Sequence, residues 1–389
     1  MKIFLTAHSS KAGGGISVAQ NLIRAFGKTA PQHEYIVTIP PGLGYEDVCA
    51  TITNVTVIPY ETKGLLSRWI WETFQLPQMV RQFKPDVIFN FGNRGFITPP
   101  CPQSTIIQSS YLAYPPSQWG FFRLGVWCRA RYIGRHLRKS LKYTPLVFCQ
   151  TPVMEKRMKE MYGNDFATAI CPNQFSAFIA DNVTESAFPE VLKPIEDKFR
   201  LFVLTRYYPH KNLEIIPKLY KKFGARLNDV AFVLTLTPDQ HPSASRLLRE
   251  IKRNRLENHV LSVGSLKQEE LAQYYRHCNA LFLPTLLESF SGTYFESMSF
   301  DCPILTSDRD FARYVCGDAA MYFDPLNVES IVDAILRLKN ESGLAERLVV
   351  AGREQRQLVS TSWDEIAADV MGRLEKIAGR HGTSSKLKQ

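Results

Sequence analysis

The stretch Glu288-Ser-Phe-Ser-Gly-Thr-Tyr-Phe-Glu296, preceded by the apolar run Ala280-Leu-Phe-Leu-Pro284, says most about the fold of this chain. It predicts a buried strand, a turn and a helix over residues 290–300. The small residues of the turn let backbone N–H groups approach a ligand, and the positive end of the helix favours a phosphate. Glu288 is expected in the turn and Glu296 about two turns into the helix. Both carboxylates could then reach hydroxyl groups of one sugar nucleotide.

A second strand-to-helix turn lies about eighty residues upstream, in Leu204-Thr-Arg206-Tyr-Tyr-Pro-His-Lys211. Arg206 ends an apolar strand, a place where contacts to ligands are common in parallel sheets. Lys211 follows within the turn. Cations suit a diphosphate and carboxylates suit hydroxyl groups, so the two turns together indicate a nucleotide-sugar site. The alternative is that these four side chains are ordinary surface charges.

Strands and helices are predicted to alternate along the whole chain, which favours an α/β fold with parallel sheets covered on both faces. A polar segment between the two halves predicts a domain boundary. The predicted divisions are an N-terminal domain over 1–175, a linker over 176–198, a C-terminal domain over 199–360, a helix over 361–380 and a disordered tail over 381–389. Two such domains are expected to bind ligand at the carboxyl ends of their strands.

Two shorter motifs have simpler interpretations beside the functional ones. Gly13-Gly14-Gly15 follows the first strand, but Val18 stands where a dinucleotide-binding fingerprint needs its third glycine. A loop that approaches a ligand closely and a plain tight turn both remain open. Asp308-Arg-Asp310 resembles an acidic metal site, and a helix with Asp308 as N-cap and Asp310 in its first turn explains it without metal.

Composition and charge narrow the class of protein. The 389 residues hold eight scattered cysteines without a C-x-x-C pair, which indicates reduced thiols in a cytosolic protein. No apolar run has the length of a signal peptide or a membrane span. Residues 1–175 contain 19 Lys and Arg but 9 Asp and Glu, whereas residues 176–389 contain 28 of each. The first half is therefore expected to attract an anionic partner.

At this point the sequence resembles the retaining glycosyltransferases of family 4. Residues 283–298 are similar to the E-x₇-E signature of that family, and Arg206 with Lys211 is similar to its basic pair. Val263-Gly264-Ser265 followed by Glu269-Glu270-Leu271, Cys171-Pro172-Asn173 and Ser362-Trp363 match further family positions. The resemblance covers nearly the whole chain. It implies the GT-B fold, with two Rossmann-like domains facing a cleft and a C-terminal helix returning to the first domain.

The resemblance also implies a role for each site residue. Arg206 and Lys211 would hold the donor diphosphate, Glu296 the ribose hydroxyls and Glu288 the donor sugar. Further donor contacts would come from Gly14, Gly15, Gly264, Ser265, Leu266, Ser289, Phe290, Ser291 and Gly292. The sequence departs from the family where serines replace glycines after Glu288, and where Gln108 or Ser109 replaces a histidine. Gln108 and Ser109 are therefore candidate contacts to the sugar or the acceptor.

A basic amphipathic helix is predicted over residues 120–142. Its cationic face consists of Arg131, Arg135, Arg138 and Lys142, and the aromatic residues near its start are Trp119, Phe121 and Trp127. This pattern fits an anionic membrane surface. A helix packed on the core with a solvated basic face is the alternative. No nucleic-acid-binding signature is present.

The resemblance thus implies a retaining, metal-independent glycosyltransferase without a cofactor. It would use a nucleotide-sugar donor and a lipid-linked or polysaccharide acceptor in cell-surface glycan synthesis, such as that of lipopolysaccharide. The expected location is the cytoplasm, peripheral on the inner face of the membrane. The alternatives are a nucleotide-sugar epimerase or hydrolase of the same fold, and a non-catalytic nucleotide-sugar-binding subunit.

Overall fold

The structure, a computed structural model, describes residues 1–61, 64–174, 187–358 and 361–386. The chain forms two compact units. The first unit comprises Met1–Pro116, Phe122–Gln174 and Thr361–Gln389, and the second comprises Ser117–Phe121 and Phe175–Ser360. Each unit contains one parallel sheet with helices, so the predicted pair of Rossmann-like α/β domains is confirmed.

The first unit contains a seven-stranded sheet in the order β3-β2-β1-β4-β5-β6-β7. The strands are β1 Lys2–Thr6, β2 Glu34–Ile39, β3 Val55–Pro59, β4 Val87–Asn90, β5 Gln103–Ile107, β6 Leu146–Cys149 and β7 Ala167–Ile170. Strands β4, β5 and β6 are buried along their whole length. Strands covered by helices on both faces tend to be continuous apolar runs, as in β6 and most of β4, whereas β5 begins with the buried polar residues Gln103, Ser104 and Thr105.

The helices of this unit are α1 Gly14–Thr29, α2 Tyr45–Ala50, α3 Leu65–Ile70, α4 Leu76–Phe83, α5 Leu124–Leu141 and α6 Pro152–Tyr162. A turn of π-helix, Trp71–Gln75, joins α3 to α4, so residues 65–83 form one helical segment with an irregular turn inside it. Turns of this kind occur often at functional sites. Helix α5 begins at Leu124, four residues later than predicted.

The second unit contains a six-stranded sheet in the order β10-β9-β8-β11-β12-β13. Its strands are β8 Phe199–Val203, β9 Val230–Leu234, β10 Val260–Ser262, β11 Ala280–Leu283, β12 Ile304–Ser307 and β13 Ala320–Phe323. Its helices are α7 Ile215–Phe223, α8 Pro242–Arg253, α9 Leu271–His277, α10 Gly292–Ser299, α11 Asp310–Cys316, α12 Val328–Asn340 and α13 Leu344–Leu358. Strand β13 and helix α13 were not predicted.

The C-terminal helix α14, Trp363–Lys386, belongs to the first unit, as the sequence predicted. Ile366, Val370 and Leu374 lie in one hydrophobic core with residues of β1 and α1. The helix continues to Lys386, so residues 381–386 are helical where a disordered tail was expected, and 387–389 lie outside the described residues. The predicted linker, 176–198, is described only from residue 187, and there it contains a helical turn, Glu190–Ile195.

Both sheets reverse their strand order at one place. In the first unit the chain runs outward from β1 through β2 and β3, and then returns to β4 beside β1. In the second unit β8, β9 and β10 run outward, and β11 then pairs with β8. Such a switch point opens a crevice at the carboxyl ends of the two central strands, where ligands of open α/β sheets bind.

Candidate functional site

The switch point of the second unit holds two of the predicted site residues in direct contact. The Nζ atom of Lys211, at the end of the helical turn Pro209–Lys211, donates to Oε1 of Glu288 in the loop after β11. Leu286 fixes this meeting, because its backbone N–H donates to the carbonyl oxygen of His210 over 2.8 Å. The side chains of Lys211 and Glu288 are 14% and 12% exposed. Removing either side chain of such a half-buried pair would leave the other charge uncompensated, so the cation and the carboxylate stabilise each other.

Glu296 lies on the fifth residue of α10, little more than one turn from its start and closer to the turn than predicted. The hydroxyl group of Tyr275 on α9 donates to Oε2 of Glu296 over 2.9 Å. Burial raises the pKa of the Glu296 carboxyl, and the hydrogen bond from Tyr275 partly opposes that shift. Tyr275 itself is held by stacking on Phe300, at 5.3 Å between ring centroids. The second carboxylate therefore has a fixed orientation.

The turn between the two glutamates is compact. Helix α10 begins at Gly292 with Ser291 as its N-cap, and no side chain caps it. Ser289 and Ser291 are buried, and the ring of Phe290 stacks on Phe295 at 5.4 Å. Because the two serine side chains are buried and do not cap the helix, the backbone N–H groups of its first turn are the polar groups at this end of the helix. These groups favour an anion.

Gly264, Ser265 and Leu266 follow β10 at the same edge of the sheet. Gly264 adopts a φ of +80°, which a residue with a side chain rarely does. Gln240 links this loop to the Arg206 loop, since its Nε2 donates to Ser265 Oγ over 3.3 Å and its Oε1 accepts from the backbone N–H of Tyr207 over 3.1 Å. Arg206 is exposed beside that link. The sequence did not single out Tyr275 or Gln240, because a tyrosine inside a helical pattern and a glutamine in a short connecting turn carry no signal.

The first unit brings together the remaining predicted contacts. Gly14 and Gly15 form the first turn of α1, so they are helical and not in a loop. A Cβ atom on Gly15 would lie 3.4 Å from Oε1 of Gln108. Gln108 and Ser109 follow β5, and their backbone N–H groups donate to Asn93 Oδ1 over 2.6 and 2.7 Å. These residues therefore share the carboxyl edge of the first sheet.

Three basic side chains of α5 remain exposed as predicted: Arg131, Arg135 and Arg138, with Lys142 directly after the helix. Arg138 also donates to the carbonyl oxygen of Met161 over 2.7 Å, so it contributes to the packing of α6. The interpretation of Trp119 as a residue available to a membrane is wrong. Trp119 is 1% exposed and lies in a segment of the second unit, where a Cβ atom on the neighbouring Gly120 would be 3.2 Å from Leu286 and 3.3 Å from Leu326.

The sequence suggested Asp308 as the N-cap of α11, but Arg309 occupies that position. The carboxylate of Asp308 instead accepts two hydrogen bonds from Arg313, at 2.8 and 2.9 Å, and this pairing lowers its pKa. Asp310 does lie in the first turn of α11. The strong bidentate pair with arginine is what overrides the local capping preference of the aspartate.

A cluster of charged residues that the sequence did not indicate lies at the switch point of the first unit. It consists of His8 after β1, Arg68 on α3, Glu72 in the π-helical turn and Arg94 after β4. The only available signal was the polar His8 directly after an apolar strand. The partners come from elements 60 to 86 residues away, and no local pattern brings them together.

Comparison with known proteins agrees with this geometry. Residues 185–355, most of the second unit, match the family of glycosyl transferases group 1. A curated relative, the O-antigen chain mannosyltransferase B of Escherichia coli, is 22% identical over 242 residues, which cover 61% of this chain and 62% of that protein. The chain thus spans less than two thirds of the length of this relative.

Solved structures share the fold over nearly the whole chain. HepE of Anabaena, crystallised with UDP and glucose, superposes with a TM-score of 0.68 at 14% identity and covers 97% of this chain and 100% of its own. Sucrose-phosphate synthase of Thermosynechococcus elongatus has a TM-score of 0.71 at 15% identity, and the superposition covers 97% of this chain and 98% of that protein. The architecture is that of the GT-B glycosyltransferases, and the second unit has the sequence pattern of glycosyl transferases group 1.

Proposed function

We propose that this protein is a retaining glycosyltransferase of family 4 that transfers a sugar from a nucleotide-sugar donor to a lipid-linked or glycan acceptor in cell-surface glycan synthesis. The observation that carries the proposal is the meeting of Lys211 and Glu288 at the switch point of the second sheet, beside the N-terminus of α10. The group 1 family match covers this unit, and the similar O-antigen mannosyltransferase supports the acceptor class.

The reaction would depend on the charge of the leaving diphosphate. Arg206, Lys211 and the N–H groups of α10 stabilise that charge as the glycosidic bond to the donor sugar breaks. An ammonium group has three donors, so Lys211 can hold a phosphate oxygen while it still contacts Glu288. In this proposal Glu288 accepts hydrogen bonds from hydroxyls of the donor sugar. Glu296 accepts from the ribose hydroxyls, in the orientation that Tyr275 gives it.

The donor and the need for an acceptor can be tested together. A thermal-shift screen with UDP-, GDP-, ADP- and dTDP-sugars identifies the nucleotide, and release of the nucleoside diphosphate is then followed with and without acceptor lipid. A glycosyltransferase releases it faster with acceptor. Release that is independent of acceptor supports a hydrolase, and binding without turnover supports a silent subunit.

The reaction is expected to need no metal. Activity in excess chelator should equal that of the untreated enzyme, and Asp310→Ala should cost no more than about 1 kcal/mol of stability, the size of a helix-dipole contact. Asp308→Asn serves as a control, because it weakens the pair with Arg313 without removing the side chain. Loss of turnover in chelator, with recovery on addition of Mn²⁺ or Mg²⁺, would contradict this prediction.

Helix α5 is proposed to bind the anionic inner surface of a membrane. Among the described residues, no helix is both long enough and apolar enough to cross a bilayer. Phe122 and Leu124, at the start of α5, are 68% and 63% exposed, beside the exposed basic residues. Each cation near an anionic surface contributes about 1 kcal/mol, so a few acting together bind reversibly and in a salt-dependent way.

The triple variant with Arg131, Arg135 and Lys142 changed to Gln is expected to lose co-sedimentation with anionic vesicles at low salt. It retains Arg138, whose bond to Met161 belongs to the packing. The matched control changes Arg246, Arg249 and Lys252, three exposed cations on α8 of the second unit, and should sediment like the wild type. Equal sedimentation of all three proteins would favour a solvated basic face and a soluble acceptor.

A further inference from the structure

The charged cluster of the first unit lies where an open α/β sheet binds its ligand. His8 follows β1 and Arg94 follows β4, the two central strands between which the order of the sheet reverses. Gly92, two residues before Arg94, lies against Ser9: a Cβ atom there would be 2.6 Å from Ser9 Oγ. Glu72 reaches the same place from the irregular π-helical turn. The cluster is therefore the counterpart, in the first unit, of the Lys211–Glu288 pair in the second.

Glu72 is held as a carboxylate by three donors. Oε1 accepts from Arg68 Nε over 2.8 Å and lies 3.2 Å from His8 Nε2, and Oε2 accepts from Arg94. These contacts lower the pKa of Glu72 to about 2, although burial opposes them. Burial lowers the pKa of His8, whose Nδ1 lies 2.9 Å from Thr38 Oγ1. At neutral pH the cluster thus has two guanidinium charges against one carboxylate.

The two arginines have donors to spare. Arg68 uses Nε and Arg94 uses Nη2 for Glu72, and neither side chain makes another hydrogen bond within the described part of the chain. Their side chains are only 25% and 16% exposed. Tyr132 covers the guanidinium of Arg94 at 5.9 Å from the ring centroid. The guanidinium N–H groups that Glu72 does not use can donate to the oxygens of a bound anion.

We propose that Arg68 and Arg94 bind a phosphate group of the acceptor, with Glu72 as the internal anion that holds them in place. Paired guanidinium N–H groups match phosphate oxygens in geometry and charge. The site continues through Asn93, next to Arg94, to the backbone of Gln108 and Ser109 and so to Gly15. Only the assignment of the phosphate to an acceptor rests on the proposed function; the anion site itself does not.

A purely structural ion-pair cluster makes a different prediction from a phosphate site. In a structural cluster the charges serve only Glu72, so added anions should not bind and every substitution should simply lower stability. In a phosphate site Glu72 competes with the ligand for the same guanidinium groups. Removing its charge should then strengthen phosphate binding, a gain that loss of packing does not produce.

The test is titration of methyl phosphate, followed by ³¹P NMR, into the full chain carrying Arg206→Ala and Lys211→Ala. Those changes remove the cations proposed for the donor diphosphate, so the result is independent of donor binding. We expect saturable binding that weakens about tenfold or more in the further variant Arg68→Gln with Arg94→Gln, the loss of about one charge-assisted contact. Arg246→Gln, at an exposed arginine on α8 of the second unit, is the matched control and should leave binding unchanged.

Glu72→Gln gives the second readout. It keeps the shape of the side chain and should bind methyl phosphate several-fold more tightly. Sodium acetate is the carboxylate probe and should bind more weakly than methyl phosphate. No binding to the parent protein, or equal binding by the Arg68→Gln with Arg94→Gln variant, overturns the site, and tighter binding of acetate overturns its assignment to phosphate. Inhibition of sugar transfer is measured on the wild-type enzyme. If methyl phosphate binds but does not compete with the acceptor there, the assignment of the phosphate to the acceptor fails and the anion site remains.

Discussion

Lys211→Ala is expected to lower kcat/KM by a factor that corresponds to about 2–4 kcal/mol of lost transition-state stabilisation. This is the cost of losing one hydrogen-bond donor that acts in the transition state. The contact between Lys211 and a diphosphate oxygen strengthens as the leaving group gains charge, so the loss should fall mainly on kcat. Arg206→Ala should behave alike. The measurement is steady-state release of the nucleoside diphosphate in the presence of acceptor.

Lys211 also neutralises Glu288, and the prediction must separate this role from catalysis. Lys211→Ala leaves a half-buried carboxylate without its partner, which lowers thermal stability. The double change with Glu288→Gln relieves that penalty, so its melting temperature should recover while its kcat/KM stays low. Lys218→Ala, an exposed lysine on α7, is the matched control. Unchanged kinetics in both Arg206→Ala and Lys211→Ala would make these residues surface charges.

The fold could be predicted because its determinants are local. Buried parallel strands appear as apolar runs, such as Val87–Asn90 and Leu146–Cys149, and the segments between them have helical periodicity. Strand β13 was missed because its burial is partial: Met321 and Tyr322 are half-buried, and the run is short and contains no valine or isoleucine. Gly120 was predicted to lie in a helix, whereas it adopts a φ of +71°, which is not helical, and the helix begins only at Leu124.

Contacts within the candidate site could be predicted only between residues close in sequence. Glu288, Ser291 and Gly292 lie in one turn, so their spacing carried information. The direct contact of Lys211 with Glu288 joins residues 77 apart, and the bond from Tyr275 to Glu296 joins different helices. The His8–Glu72–Arg94 cluster depends on strand order and on a π-helical turn that no residue pattern announces. These long-range pairings are properties of the topology, so they became visible only with the sheets in place.

Replacing Glu288 and replacing Glu296 by alanine are expected to impair different properties, namely turnover and nucleotide affinity. Glu296→Ala should weaken binding of the free nucleoside diphosphate about tenfold or more, because a carboxylate bond to a ribose hydroxyl contributes about 1.5–3 kcal/mol and needs no sugar. Glu288→Ala should leave that affinity unchanged or slightly improved, since Lys211 is then released from its partner. The turnover of Glu288→Ala should fall, because the hydroxyl groups of the donor sugar lose a carboxylate to which they donate hydrogen bonds.

Calorimetric titration of the nucleoside diphosphate, together with kcat for each variant, measures both effects. Tyr275→Phe is the control for Glu296→Ala: it removes the hydrogen bond to the carboxylate but keeps the stacking on Phe300, and its loss of affinity should be smaller. The raised pKa of Glu296 adds a pH test. Affinity should fall as the pH drops through that pKa, and the dependence should disappear in Glu296→Gln. Equal losses of nucleotide affinity in Glu288→Ala and Glu296→Ala would show that both carboxylates serve the nucleotide, and the assignment of Glu288 to the sugar would be wrong.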